Sequence, residues 1–458
     1  MTQPNLLFVF VDQMRGQAMG FLGEEPVRTP SLDRFASEGL VLDSVSATYP
    51  VCSPYRAMLM TGKYPHANRV ISNCTSRTAP YGVELQEDDR CWSDILKEND
   101  YSLGYIGKWH LDSPQEPYID CYNNRGETKW NEWCPPHRRH GFDFWYSYGT
   151  YDHHDRPMYW RTDAARDEFH FVDQWGPEHE ADLAIDYLRN EGGTYRDPAE
   201  PFGLVVSMNP PHMPYDRVPE RYVERYADLS DDELCTRPDI PPAETKWGDY
   251  YRANIRNYLA MITGIDEQFG RILEALEDAG LAEETIVVFT SDHGNCLGIH
   301  EKISKNNHYE ESVRVPFIIR WPGEIHHRRD DLLLSAPDIY PTLMDLMGLA
   351  EAIPDTVEGC SCAGVFRGDE GARPTSQLYI WVDPERPAEG RRGLRTHWYT
   401  MMVEREGGEE HVTLHDNQAD PYQLENIAPD SPALVASLSE QLNRWLRKTN
   451  DPWLSAAP

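Results

Sequence analysis

Short apolar runs, each closing on polar or glycine-rich residues, recur along the chain and alternate with stretches of helical periodicity. That alternation predicts a large, mostly parallel sheet flanked by helices on both faces, an α/β architecture. Residues 6–11, 102–106, 202–207 and 285–290 are the predicted central strands. The clearest helix is 253–279, where Ile255, Leu259, Ile262, Ile265, Phe269, Ile272 and Leu276 mark one apolar face and Gly280 supplies a stop. Residues 112–180 are rich in Trp, Tyr, His and Pro without clean periodicity, and read as a long irregular insertion over one rim of the sheet. Near 367–375 the composition turns to Gly, Asp, Glu and Pro. Strand-like runs follow at 377–382, 397–404 and 411–415, and a last helix at 431–448. The organisation predicted is a main α/β domain over 1–370 and a smaller α+β subdomain over 371–458, with an antiparallel sheet and one helix.

Composition narrows the function classes. Forty-three Lys and Arg against 76 Asp and Glu give a formal charge of -33, which repels nucleic acid and anionic membranes, so neither is an expected partner and any anionic ligand needs a local cationic pocket. No apolar run approaches the roughly 20 residues that cross a bilayer. The start, Met1-Thr2-Gln3-Pro4-Asn5 running into 6–11, lacks the basic stretch and cleavage site of a signal peptide, and the expectation is a cytoplasmic protein. Nine cysteines, odd in number and scattered, predict mostly reduced thiols, at least one with another purpose.

In open α/β sheets reactive groups gather beyond the carboxyl ends of the strands. After the first predicted strand come Asp12 and Gln13, after the second Lys108 and His110, after the third His212, and after the fourth Asp292 and His293. Each alone reads as a turn residue or a structural histidine; four strand ends agreeing does not. Asp12, Gln13, Asp292 and His293 offer two carboxylates, an amide oxygen and an imidazole, a set suited to one divalent cation with positions left for an oxyanion. Lys108, His110 and His212 add a fixed charge and two groups that move protons near neutral pH. Metal, cations and proton carriers together describe ester hydrolysis at phosphorus or sulfur.

The segment Val51-Cys52-Ser53-Pro54-Tyr55-Arg56-Ala57-Met58-Leu59-Met60-Thr61-Gly62 is the most specific. Pro54 suits a first helical turn, which puts Cys52 at a helix N-terminus where negative charge is favoured, and Arg56, four residues on, shares its face. By itself this is equally a buried cysteine beside a helix start.

The segment resembles the signature of the type I sulfatases of the alkaline phosphatase superfamily, Cys-x-Pro-x-Arg followed by x-x-Leu-x-Thr-Gly; Cys52, Pro54, Arg56, Leu59, Thr61 and Gly62 match. The family usually has Ser where this chain has Tyr55. The resemblance continues in Gly107-Lys108-Trp109-His110, Pro211-His212, Ser291-Asp292-His293-Gly294, Lys305 with Tyr309 to Ser312, Arg314-Val315-Pro316, and Asp420-Pro421. It implies an alkaline phosphatase-like fold, the main domain being the catalytic one. It implies that Cys52 is oxidised to formylglycine by a formylglycine-generating or anaerobic sulfatase-maturating enzyme. The aldehyde hydrates to a geminal diol; one oxygen attacks sulfur, and deprotonation of the other expels sulfate, an exit that a plain serine or thiolate lacks. By the same resemblance Asp12, Gln13, Asp292, His293 and the modified Cys52 hold the ion, Ca2+, while Arg56 steadies the diol. Lys108 and Lys305 neutralise the sulfate oxygens. His110 is assigned to remove the diol proton and His212 to protonate the leaving oxygen, roles that sequence alone leaves exchangeable.

Two departures stand out: Gln13 replaces a second Asp and His293 replaces an Asn, so the ion meets about two negative ligands, which favours competition by Mg2+ or Mn2+. The same pairs resemble phosphonate monoester and phosphodiester hydrolases of the superfamily. The expected activity is therefore hydrolysis of a sulfate monoester on a small sulfated sugar. The alternatives are a phosphonate monoester or phosphodiester hydrolase and, if Cys52 stays unmodified, a silent protein that binds sulfated ligands. His66, His300 and His308 flank motif segments and are expected in surface or packing roles, with substrate contact the alternative; Trp130, Trp133, Trp145, Trp160 and Trp175 are expected to anchor the insertion, with stacking on a sugar ring the alternative. Glu310 and Arg314 are expected to brace the loop bearing Lys305. His153 and His154, beside Asp152 and Asp155, lack the third partner that a second metal needs.

Overall fold

A computed structural model describes residues 3–456. Ten strands make one sheet: β1 (Asn5–Val11), β2 (Leu40–Ser46), β3 (Ser102–Lys108), β4 (Phe144–Tyr148), β5 (Met158–Arg161), β6 (His170–Phe171), β7 (Phe202–Met208), β8 (Thr285–Ser291), β9 (Phe317–Arg320) and β10 (Arg328–Ser335). Their order is β10-β2-β9-β8-β1-β7-β3-β4-β5-β6. The run from β8 to β4 is parallel, as is β10 on β2. β9 lies antiparallel between β2 and β8, and β5 and β6 extend the far edge antiparallel. The predicted strands are the middle four, and all their residues are buried.

β1 shows why. Successive side chains of a strand point to opposite faces; Leu6, Phe8 and Phe10 enter one core, Leu7, Val9 and Val11 the other. The first core is roofed by the helices Cys52–Thr61 and Ala336–Leu346, the second by Gly176–Arg189 and Lys246–Asp278. With both faces covered, a strand reads as an unbroken apolar run.

The helix predicted from 253 begins at Lys246, where the Thr245 hydroxyl accepts the Gly248 N–H at 3.1 Å. Its first turns carry the half-buried Trp247 and Tyr250, which extend no apolar stripe. The larger correction concerns 112–180, which is not simply irregular: β4, β5 and β6 lie inside it and widen the sheet. These strands are five, four and two residues long, too short to display a period. Trp145 and Trp160 sit in them as core residues.

A second, antiparallel sheet runs β11 (Gln377–Val382), β12 (Gly390–Arg395), β13 (Tyr399–Glu406), β14 (Glu409–Asp416), followed by the helix Pro432–Lys448. Sequence reading passed over β12 because Gly390-Arg391-Arg392-Gly393 is not apolar. Arg392 is buried, and is held by Asp451 through two hydrogen bonds of 2.6 and 3.1 Å. Leu378, Ile380, Leu394 and Met401 join the core of the first sheet. Among the described residues no helix is long and apolar enough to cross a membrane, and all nine cysteines are free thiols.

One buried carboxyl gives a stability test. Glu180, on Gly176–Arg189, accepts the Tyr148 and Tyr159 hydroxyls at 3.3 and 3.0 Å, and its Oε2 has no hydrogen-bond partner among the described residues. Burial pushes its pKa up from 4.5 to about 8. Below 4.5 the group is protonated in folded and unfolded chains alike; as pH rises to about 8 only the unfolded chain ionises, so stability falls and then levels off. Glu180→Gln should therefore match wild type in urea unfolding at pH 5 and exceed it at pH 8.5 by on the order of 3 kcal/mol. A constant difference across that range would refute the assignment.

Candidate active site

The carboxyl ends of β1, β3, β7 and β8 converge on the N-terminus of the Cys52–Thr61 helix. Asp12 and Gln13 leave β1, and Gln13 takes a left-handed backbone with φ +76, an uncommon state that clusters at functional sites. Its N–H donates to Asp292 Oδ1 at 3.1 Å, tying the ends of β1 and β8 together. Cys52 begins its helix, fully enclosed, with Sγ 3.7 Å from Asp12 Oδ1 and 3.4 Å from His293 Nε2. One turn on, Arg56 donates to Asp12 Oδ2 at 3.2 Å, Asp292 Oδ2 at 3.0 Å, the Lys108 carbonyl at 2.8 Å and Ser207 Oγ at 2.8 Å.

Lys108, at the end of β3, donates to Asp12 Oδ2 at 2.7 Å and Asn209 Oδ1 at 2.9 Å. Its position depends on Gly107, whose φ is +97 and where a Cβ would stand 2.1 Å from the Ser207 carbonyl oxygen. Lys305 arrives from the loop after β8, with Nζ 3.1 Å from Cys52 Sγ and 3.4 Å from Gln13 Oε1. Every residue that the sequence assigned to the site except His110 and His212 is within 4 Å of Asp12, Cys52 or Asp292 through a named polar contact. Those two flank the same pocket.

The donor set fits a cation. His293 Nδ1 lies 3.0 Å from the Gly294 carbonyl, so Nδ1 carries the hydrogen and Nε2 keeps its lone pair. That nitrogen is 3.4 Å from both Asp12 Oδ1 and Asp292 Oδ1. Three acceptors thus face one another, their side chains buried, while the other oxygen of each carboxylate is turned to Arg56. Asp12, Cys52, Asp292 and His293 can each direct a ligand atom to one point, and mixed oxygen and nitrogen donors suit a divalent ion.

The pKa shifts have the same origin. Burial works against the Asp12 charge, but Lys108 and Lys305 hold its carboxyl well below the usual range. Burial and the neighbouring Asp12 push Asp292 up to about 6 against the opposing pull of His293 and Arg56, as expected where two carboxylates crowd one dry site. Burial and Asp12 oppose ionisation of Cys52 too, yet Lys108 and Lys305 bring its thiol well below the usual value. Burial instead raises Cys74, Cys91, Cys121, Cys134 and Cys296.

The two histidines differ. His110, with φ +54, is buried; its Nε2 meets the Cys74 carbonyl at 3.3 Å, leaving Nδ1 as the bare nitrogen. Burial lowers its pKa, so the ring is neutral. His212 has Nδ1 2.8 Å from the Met213 carbonyl and 3.3 Å from Asp152 Oδ1. Burial and Lys305 pull its pKa down, but Asp12 and Asp152 prevail and lift it to about 9, so this ring is charged at neutral pH.

Four supports went unassigned in the sequence. Asn209 carries Lys108 on Oδ1 and donates from Nδ2 to the Tyr151 carbonyl at 3.0 Å and Asp152 Oδ1 at 3.2 Å; in the sequence it stands three residues before the more conspicuous His212. Asp152 braces both Asn209 and His212, and His154 donates from Nε2 to the His212 carbonyl at 2.8 Å. Tyr215 accepts from Gln13 Nε2 at 3.1 Å. No spacing rule announces any of these. His66 pairs with Asp451, while His300 and His308 stack on Tyr309. Of the five tryptophans considered, Trp130 comes near the site, its ring centroid 6.3 Å from that of His110. Glu310 pairs with Arg395 and Arg314 with Glu24.

The sulfatase family pattern matches residues 4–349. The chain belongs to the sulfatase family. A second pattern, the C-terminal region of N-sulphoglucosamine sulphohydrolase, matches residues 298–450 of this sulfatase and so takes in the second sheet. The sulfatase is 39% identical to an endo-4-O-sulfatase of Bacteroides thetaiotaomicron, over 98% of this chain and 93% of that one. Among solved structures, the yidJ sulfatase-family protein of Bacteroides fragilis superposes with a TM-score of 0.95 at 51% identity, covering 99% of this chain and 97% of that one. A Bacteroides thetaiotaomicron structure described under the metabolism of multiple glycosaminoglycans gives 0.91 at 36% identity, with 99% and 98% covered. The fold is that of the sulfatases, and the chain is a sulfuric ester hydrolase.

Proposed function

We propose that this sulfatase removes a sulfate group from a sulfated carbohydrate through a formylglycine made from Cys52, at a site holding Ca2+, with Mg2+ or Mn2+ as competitors. The observation that carries the reading is the convergence of Asp12 Oδ1, Asp292 Oδ1 and His293 Nε2 beside Cys52 Sγ, ringed by Arg56, Lys108 and Lys305. The carbohydrate class is supported by the likeness to an endo-4-O-sulfatase along nearly the whole of both chains.

Asp12, Gln13, Asp292 and His293 would hold the ion, which when bound supplies the positive charge that two buried carboxylates call for. The thiol of Cys52 stands where the hydrated aldehyde's hydroxyls would be, one to attack sulfur and one to lose its proton as sulfate leaves. His110, neutral and with Nδ1 bare, is suited to take that proton. His212, kept charged, is suited to give one to the sugar oxygen. Lys108 and Lys305 meet the negative charge that builds on the sulfate oxygens.

Two substrates test the activity. Turnover of an aryl sulfate with negligible attack on a phosphonate monoester supports the sulfatase reading. The reverse order favours the runner-up, which rests on the Gln13 and His293 departures. Mass spectrometry of the Cys52 peptide from the native host decides the silent-binder alternative, since an intact thiol leaves no diol. The His212 role has its own readout. Asp152→Asn removes a charge that supports the imidazolium, so the alkaline fall in kcat/KM on a sugar sulfate should move down from about 9 by about one pH unit. An unmoved profile would take the acid role from His212.

A further inference from the structure

We infer that Tyr215 selects which end of the Gln13 amide faces the cation, and so tunes metal affinity without touching the ion. The inference rests on the cation site proposed above.

The need arises from the residue type. Where the related pattern has an aspartate, either oxygen serves as a ligand. An amide has one liganding end, and a flipped glutamine turns an NH2 toward the ion. Something must fix the choice, and a chain of hydrogen bonds does so from a backbone anchor. The Leu297 N–H donates to Asn295 Oδ1 at 3.1 Å, which fixes the Asn295 amide with Nδ2 outward. That Nδ2 donates to the Tyr215 hydroxyl at 3.0 Å, and Gln13 Nε2 donates to the same oxygen at 3.1 Å. Gln13 Oε1 is left toward the pocket, facing Lys305 Nζ at 3.4 Å, a donor that a flipped NH2 would oppose.

The rest of Gln13 is immobilised independently, its N–H by Asp292 and its carbonyl by the Tyr258 hydroxyl at 3.0 Å. The side-chain amide is therefore the remaining freedom, and Tyr215 is its acceptor. The phenol is buried, its ring edge-on to Tyr258 with centroids 6.0 Å apart, so removing the hydroxyl alone leaves the packing in place. Losing the acceptor strands a buried N–H and leaves Lys305 alone to favour the liganding end.

The test is calorimetric titration of the full-length, metal-stripped protein with Ca2+ alone. Tyr215→Phe should weaken Ca2+ binding by about tenfold to a hundredfold, the usual cost of losing a group that orients a ligand. In a Gln13→Glu background, where both ends of the side chain are oxygen, the same change should cost less than about threefold, because no end remains to be selected. Tyr215→Met removes the hydroxyl with different packing and should give the same pair of results. Equal losses in both backgrounds would show that Tyr215 acts by packing and overturn the inference, as would unchanged affinity in Tyr215→Phe. Wild-type protein that binds no Ca2+, Mg2+ or Mn2+ would overturn the cation site itself.

Discussion

Cys52→Ala should abolish turnover of aryl and sugar sulfates while the protein melts within a few degrees of wild type. The expected loss exceeds about 10⁴-fold, because the substitution removes the atom from which the attacking hydroxyls are built and leaves no substitute nucleophile. Stability should change little. The thiol is enclosed, but its neighbours are the carboxylates, lysines and imidazole of the site, not the apolar core. Alanine also keeps the helix start. Activity assays and thermal melts on the same preparation decide the matter, and wild-type turnover by the alanine variant would end the proposed mechanism.

Lys108→Met should lower kcat/KM by about 10²- to 10³-fold, the range typical for losing one electrostatic stabiliser of a transition state. Methionine keeps most of the length and removes the charge. Two losses combine. The sulfate oxygens lose a counter-charge, and Asp12 loses the strongest of the influences that hold its carboxyl ionised. A cation ligand that is easier to protonate binds its ion less well at low pH. The defect should therefore deepen below pH 6 and shrink when Ca2+ is raised. Kinetics at several pH values and Ca2+ concentrations test this; a defect uniform across both would confine Lys108 to the sulfate.

Asp12, Lys108, Asp292 and His293 were legible because a parallel sheet delivers its strand ends to one rim, and apolar runs announce where the strands stop. One helical turn put Cys52 and Arg56 on a shared face, but their roles came through the family resemblance. Lys305 came only through family resemblance, since a loop residue has no period. Asn209, Asp152 and Tyr215 escaped notice for a physical reason. Each acts through a side chain from another part of the chain: Asn209 through Lys108, Asp152 through His212, and Tyr215 through Gln13. Such pairings follow from tertiary packing and leave no local mark. The edge strands within 112–180 were lost differently, because five, four and two residues are too few to show an alternation.

Two of the three cations of the pocket, Arg56 and Lys108, are buried and Lys305 is half-buried, within a molecule whose formal charge is -33. A sulfated sugar far from the opening meets the acidic exterior first, and the attraction of Lys108, Lys305 and Arg56 reaches it only at close range. Counter-ions screen that outer repulsion over about 8 Å at physiological ionic strength, while buried contact pairs are screened far less. Capture is thus a short-range event, and it is hindered most for ligands with many sulfates, whose remaining groups stay in the repelling field while one is held.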